Sequence, residues 1–138
     1  MSSRIPSQTS NGVKNVFVFG NPDLEFDSLA IRILPKLKKR FPALYFAIKD
    51  PHEELDLGEE FLIIDTVEGI SDVTIFPGLE KFAASPSLTL HDFDVYASLR
   101  FAQKINKLPP IKIVGIPPGL PEDQALRKTS EALRRIGC

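Results

Sequence analysis

Three short runs limit what this chain can fold into: V-F-V-F at 16 to 19, F-L-I-I-D at 61 to 65 and I-V-G-I at 113 to 116. Each is apolar at successive positions, not at alternate ones. A strand with one wet face alternates apolar and polar side chains, so unbroken apolar strands belong to a sheet covered on both faces, as parallel sheets are. Parallel strands also need crossovers, and crossovers are usually helices.

The segments between the runs supply them. Phe26, Leu29, Ala30, Ile33, Leu34 and Leu37 fall at the spacing of one helix face, and Lys36, Lys38, Lys39 and Arg40 gather where a helix's carbonyl end favours cations. A first helix should therefore end near Arg40, with a kink or early stop at Pro35, which lacks a backbone donor. Strand one is expected over Val13 to Phe19, strand two over Ala43 to Ile48 and a fourth over Val73 to Phe76. The connection K-D-P-H-E-E-L-D-L-G-E-E before Phe61 leaves room for little more than a turn or two of helix. Thr89 and Asp92 stand in capping-box spacing, which predicts a helix running to about Lys107 with His91 in its first turn. Glu122 to Ile136 is an amphipathic closing helix. The expected class is α/β: a three-layer sandwich with a mostly parallel central sheet of about five strands flanked by helices.

Composition narrows the functional classes. A chain of 138 residues is one domain by length and can bury roughly two thirds of its unfolded surface. We assign 13–138 to a single domain and the polar residues 1–12 to a disordered tail. With 17 basic and 18 acidic side chains the net charge is −1, so neither nucleic acid nor membrane is an expected partner. No stretch approaches the roughly 20 apolar residues of a membrane span, and the tail lacks the apolar run of a signal peptide. The only cysteine is Cys138, so no intrachain disulfide is possible and a cytoplasmic monomer is the expected setting.

In α/β folds ligands collect at the carboxyl ends of the strands. The loop after strand one, G-N-P-D-L-E-F-D, carries Asp23, Glu25 and Asp27 where a phosphate loop would carry glycines, and carboxylates repel a polyanion. A cation is the natural guest there, although Asp27 could equally cap the first helix. Asp65 follows four large apolar residues and is drawn toward the interior, where it needs a metal, a partner or a bond to the following turn. His91, opening a helix, is held toward its neutral, ligating form. His52 is a weaker candidate. Two carboxylates and an imidazole on one edge suit a borderline transition metal such as nickel, zinc or manganese. The chain has no G-x-S-x-G elbow, no phosphate-loop motif and no Cys-His pairing, so no nucleophile is assigned.

The motifs resemble those of the nickel-dependent hydrogenase maturation endopeptidases. The resemblance runs through G-N-P-D-L-E-F-D-S-L-A-I-R-I at 20 to 33, L-I-I-D at 62 to 65, H-D-F-D-V-Y-A-S-L-R-F at 91 to 101 and I-K-I-V-G-I-P-P at 111 to 118. It implies an aspartyl-peptidase-like hydrolase that removes a C-terminal extension from a nickel-loaded hydrogenase large-subunit precursor. It further implies that Asp27, Asp65 and His91 contact nickel supplied by the substrate, and that Gly20, Asn21 and Asp50 line the peptide cleft. Phe26, Asp27 and Ser28 stand where family members carry two adjacent acids and a glycine, Ala30 replaces a common glycine, and Lys49-Asp50-Pro51-His52 replaces Asp-Gly-Gly. Two alternatives come from other classes: a non-catalytic homologue that binds a maturing metalloprotein, and a phosphoacceptor signalling domain. The second fits less well, because Asp27 lies seven residues beyond Gly20 and Lys112 precedes its strand's apolar run.

Overall fold

The computed structural model describes residues 15–20, 23–25, 28–49, 61–77 and 111–138. These hold five strands, β1 (Asn15–Phe19), β2 (Tyr45–Lys49), β3 (Phe61–Thr66), β4 (Thr74–Phe76) and β5 (Ile111–Ile116), and two helices, α1 (Leu29–Arg40) and α2 (Glu122–Ile136). The sheet order is β2-β1-β3-β5-β4. β2, β1, β3 and β5 are mutually parallel, and only the short β4 runs antiparallel, against β5. The α/β class and mostly parallel sheet read from the apolar runs are therefore observed. The tail 1–12, the connection 50–60 and the helix expected over 89–107, with its capping box, lie outside the described residues.

Burial explains the runs. All six residues of β3 are buried, as are five of the six in β5, with Lys112 the exception. Alternation then divides the sheet into two cores. Val16, Val18, Leu62, Ile64, Val114 and Ile116 pack under α1 and α2. Phe19, Phe61, Ile63, Val67, Phe76, Ile111 and Ile113 form the core of the second face, with Phe17 against it. Phe17 and Phe61 meet there with ring centroids 4.9 Å apart. The edge strand β2 leaves Tyr45 and Ile48 exposed.

α1 and α2 lie side by side on the first face, both running back against the parallel strands. Arg32 pairs with Glu122 and, eight residues further along each helix, Arg40 bonds Ser130. Equal steps on the two helices mean that they run in the same direction. Buried Leu29, Ile33 and Leu37 of α1 and Leu126, Ala132 and Leu133 of α2 belong to the same core.

Three local expectations change. α1 does not stop at Pro35 but continues to Arg40. Pro35 is on the exposed side and Ile31, whose carbonyl it leaves without a helical partner, is only half-buried, so water can satisfy that carbonyl. The N-cap of α1 is Ser28, not Asp27. β2 begins at Tyr45, because Leu44 N–H donates to the Phe41 carbonyl at 3.1 Å and closes a turn over residues read as strand. α2 matches its predicted range and ends in a left-handed Gly137, whose N–H returns to the carbonyls of Leu133 and Arg134.

Candidate functional site

The order β2-β1-β3 makes the chain change direction between β1 and β3. Connections leave β1 toward one side of the sheet and β3 toward the other, and in open α/β sheets the ligand crevice lies at such a switch point, at the strands' carboxyl ends. Gly20 is the residue after β1, and Asp65 is the penultimate residue of β3. β1 and β3 pair with Val18 opposite Ile64, so continuing the register puts Phe19 beside Asp65 and Gly20 beside Thr66. Two of the six predicted site residues thus meet at one edge. Asn21, Asp27, Asp50 and His91 lie outside the described residues.

Asp65 is completely buried. It shares the sheet face of Phe61 and Ile63, away from α1 and α2. Its Oδ1 accepts a hydrogen bond from the backbone N–H of Thr66 at 2.9 Å, the bond to the following residue that a non-ligand role requires. A carboxylate offers several acceptor sites, so this backbone bond is compatible with a cation at the same group. The adjacent cross-strand residue is Gly115. A Cβ there would stand 2.9 Å from the Phe76 ring and 3.0 Å from Val67, so glycine is what lets the apolar wall close beside Asp65. Lys49, which ends β2 level with Phe19, lays its ammonium 5.4 Å from the Phe17 ring centre on this face.

On the helix face the same edge carries Thr66 and the start of α1. Ser28 is buried and makes no side-chain capping bond. Its hydroxyl instead donates to the Glu25 carbonyl and accepts from Arg32 Nε, each at 3.0 Å. Arg32 Nη1 reaches Glu122 Oε2 at 3.0 Å. Sequence reasoning did not assign roles to Ser28, Arg32 or Glu122. The four-residue step from Ser28 to Arg32 was a usable signal, whereas the ninety residues from Arg32 to Glu122 carry none.

Among the described residues, no group of three His, Cys, Asp or Glu side chains converges to hold a metal. A shallow hollow of about 140 Å³ lies elsewhere, on the helix side of β4, lined by Asp72, Lys128, Arg127 and Glu131 among others. Four of its charges are paired, Lys128 with Asp72 at 2.8 Å and Arg127 with Glu131 at 3.6 Å. The crevice at Asp65, not this hollow, has the buried acid. Among the described residues no helix is long and apolar enough to cross a membrane.

Neither a family model nor a curated protein matches the chain at the level of sequence. Solved structures do match. The hydrogenase maturating endopeptidase HybD from E. coli superposes with a TM-score of 0.61 over 91% of this chain and 94% of its own, at 18% identity. A hydrogenase 3 maturation protease superposes with a TM-score of 0.55 over 92% of this chain and 91% of its own, at 15% identity. The chain therefore has the α/β fold of these two maturation proteases across nearly its whole length.

Proposed function

We propose that this protein is a hydrogenase maturation endopeptidase, which removes the C-terminal extension of a nickel-loaded hydrogenase large-subunit precursor in the cytoplasm. The observation that carries the reading is Asp65, a fully buried carboxylate at the crevice where the sheet changes direction, in a fold shared with two maturation proteases. A buried acid is costly unless it is paired or bound to a cation.

In this reading nickel arrives as part of the substrate. Asp65 supplies a hard oxygen donor and, with Asp27 and His91, completes a mixed carboxylate and imidazole set of the kind borderline metals accept. The protein's ligands are few, which lets the metal leave with its owner. In this reading Gly20, Asn21 and Asp50, which follow β1 and β2 in the sequence, line the path of an extended peptide. Gly20 has no side chain to obstruct it. The bond broken is the peptide bond before the extension, with water as co-reactant and the carboxylates as the available bases.

The test is cleavage of a nickel-loaded precursor by purified protein, alongside Asp65→Ala and His91→Ala. Expected are a shortened precursor with wild type and none with either variant. An intact precursor with wild type sinks the enzyme claim, and capture of it without cleavage supports the non-catalytic alternative. Full cleavage by both variants sinks the metal assignment.

A further inference from the structure

β3, with Asp65 near its end, lies between β1 and β5. The segments leaving those two flanking strands lead into α1 and α2. A continuous run of hydrogen bonds joins them across the end of β3. Ser28 Oγ donates to the Glu25 carbonyl and accepts from Arg32 Nε, while Arg32 Nη1 donates to Glu122 Oε2, every step being 3.0 Å. Glu25 belongs to the segment leaving β1, and Glu122 is the first residue of α2. Strand spacing puts β1 and β5 about 10 Å apart with β3 between them, so the bridge links segments that leave the two strands flanking β3.

The residue types matter. A guanidinium presents several donors in a rigid plane, so Arg32 can hold a hydroxyl through Nε and a carboxylate through Nη1 at once, whereas a lysine ammonium is a single point charge. A hydroxyl that accepts from a cation is also a stronger donor, which tightens the Ser28 bond to Glu25. Ser28 is 5% exposed, so that end of the bridge is anchored in the interior. The outer end, with Arg32 and Glu122 side chains 38% and 56% exposed, is screened by solvent and weaker.

We infer that Arg32 is a positioning residue that fixes the segment leaving β1 against the start of α2 and so sets the width of the crevice at the end of β3. Its catalytic consequence rests on the peptidase reading above; the bridge itself does not. Among the described residues Ser28 and Glu122 are linked through Arg32, which makes the inference testable by a double-mutant cycle. Ser28→Ala, Glu122→Ala and the double variant are compared with and without Arg32→Ala, by hydrogen exchange of amides 23–28 and by cleavage of nickel-loaded precursor.

Each single variant should speed loop exchange about two- to fivefold, and the double variant no more than the larger single. That non-additivity should vanish when Arg32 is already alanine. Arg32→Lys, which keeps the Glu122 pair and loses the fork, should restore only part of the protection. Cleavage should follow the same pattern through kcat, with KM little changed, because a misplaced group is felt mainly in the transition state. Additive effects of Ser28→Ala and Glu122→Ala on exchange, or faster exchange throughout β3 and β5 in Arg32→Ala, overturn the proposal. If wild type does not cleave but the exchange cycle holds, the peptidase reading falls and the bridge stands. If wild type cleaves and every variant matches it, the positioning role falls and the peptidase reading stands.

Discussion

Among the described residues, acids gather at one end of the sheet and bases at the other, with Lys49 and Arg32 the cations among the acids. At the amino end lie Lys38, Lys39 and Arg40 of α1, Arg134 and Arg135 of α2, and Lys112 near the start of β5. At the carboxyl end lie Asp23 and Glu25 after β1, Asp65 and Glu68 around the end of β3, Asp72 before β4, and Glu122 and Asp123 opening α2. Most of this segregation has an ordinary cause. α1 and α2 run the same way, so their positive ends share one edge and their negative ends the other, and acids favour the first while bases favour the second. At the amino end the cations also support the helix packing directly. Arg40 bonds Ser130 at 3.1 Å, and Arg134 lies 5.7 Å from the centre of the Phe41 ring. Lys112, Glu68 and Asp72 also lie off the helices, but all three are exposed. Asp65 alone among these acids and bases is fully buried. Burial, not position along the sheet, is what marks the site.

The strongest way to break that contrast is to remove one charge from the carboxyl end and, separately, two from the amino end. Asp65→Asn keeps the shape of the side chain and its bond to Thr66 but deletes the charge. Precursor cleavage should fall by more than about 100-fold, since even groups one shell away from a metal are commonly worth 10- to 100-fold. Lys38→Ala with Arg135→Ala at the amino end should leave cleavage unchanged. A comparable loss from the amino-end pair would mean that the whole charge distribution, not one acid, carries activity.

The next test compares a buried glycine inside β5 with an exposed one beyond its end. Gly115→Ala drives a methyl to 2.9 Å from the Phe76 ring and 3.0 Å from Val67, inside the second-face core, whereas a methyl on Gly119 meets nothing within 4 Å. Overpacking predicts a loss of about 1–3 kcal/mol for the first. The second should stay within about 0.5 kcal/mol of wild type. Chemical denaturation of both variants measures the difference, and equal midpoints would refute the tight wall beside Asp65.

Two buried threonines allow a smaller comparison. Thr66, at the end of β3, and Thr129, in the middle of α2, each carry a buried hydroxyl with no hydrogen-bond partner among the described residues. Replacing an unsatisfied buried hydroxyl by a methyl of the same shape is neutral or stabilising, so Thr66→Val and Thr129→Val should each raise stability by up to about 1 kcal/mol. A lower melting temperature for either one would show that its hydroxyl is satisfied in solution.

How far the sequence foretold this arrangement follows from the range of each cause. The apolar runs foretold β1, β3 and β5 because burial on both faces is a property of consecutive residues, and α2 because its apolar face recurs every turn. The end of β3 drew attention to Asp65 for the same local reason. The start of β2 was misplaced because Ala43 and Leu44 are as apolar as a strand, while the turn they make depends on one bond back to Phe41. The antiparallel direction of β4 is a decision of its neighbour β5, and three residues carry no sign of it. The cap of α1 falls one residue later than Asp27 because Ser28 is tied to Glu25 and Arg32. The bridge to Glu122 was invisible, since its two ends are ninety residues apart and meet only because α1 and α2 run side by side.

The smallest expected effect belongs to Asp72, the exposed counterpart of Asp65. Lys128 approaches both of its carboxylate oxygens, at 2.8 and 2.9 Å, and the Val73 N–H donates to it at 2.8 Å. The Lys128 hydrogen bond, with the Val73 bond next, holds the Asp72 carboxyl below its ordinary value. A carboxyl whose folded pKa lies below its unfolded one binds a proton more readily when unfolded, so its contribution is present above the ordinary carboxylate range. It is lost as pH falls through about 4 and below. Because Asp72 is exposed and Lys128 only half-buried, the loss should be slight and weaker still in high salt. Thermal melts of wild type and Lys128→Met across pH 3 to 7 isolate it. The variant should lie slightly below wild type at neutral pH and converge with it in acid. A gap that widens in acid would reverse the sign and remove Asp72 as the partner that matters to Lys128.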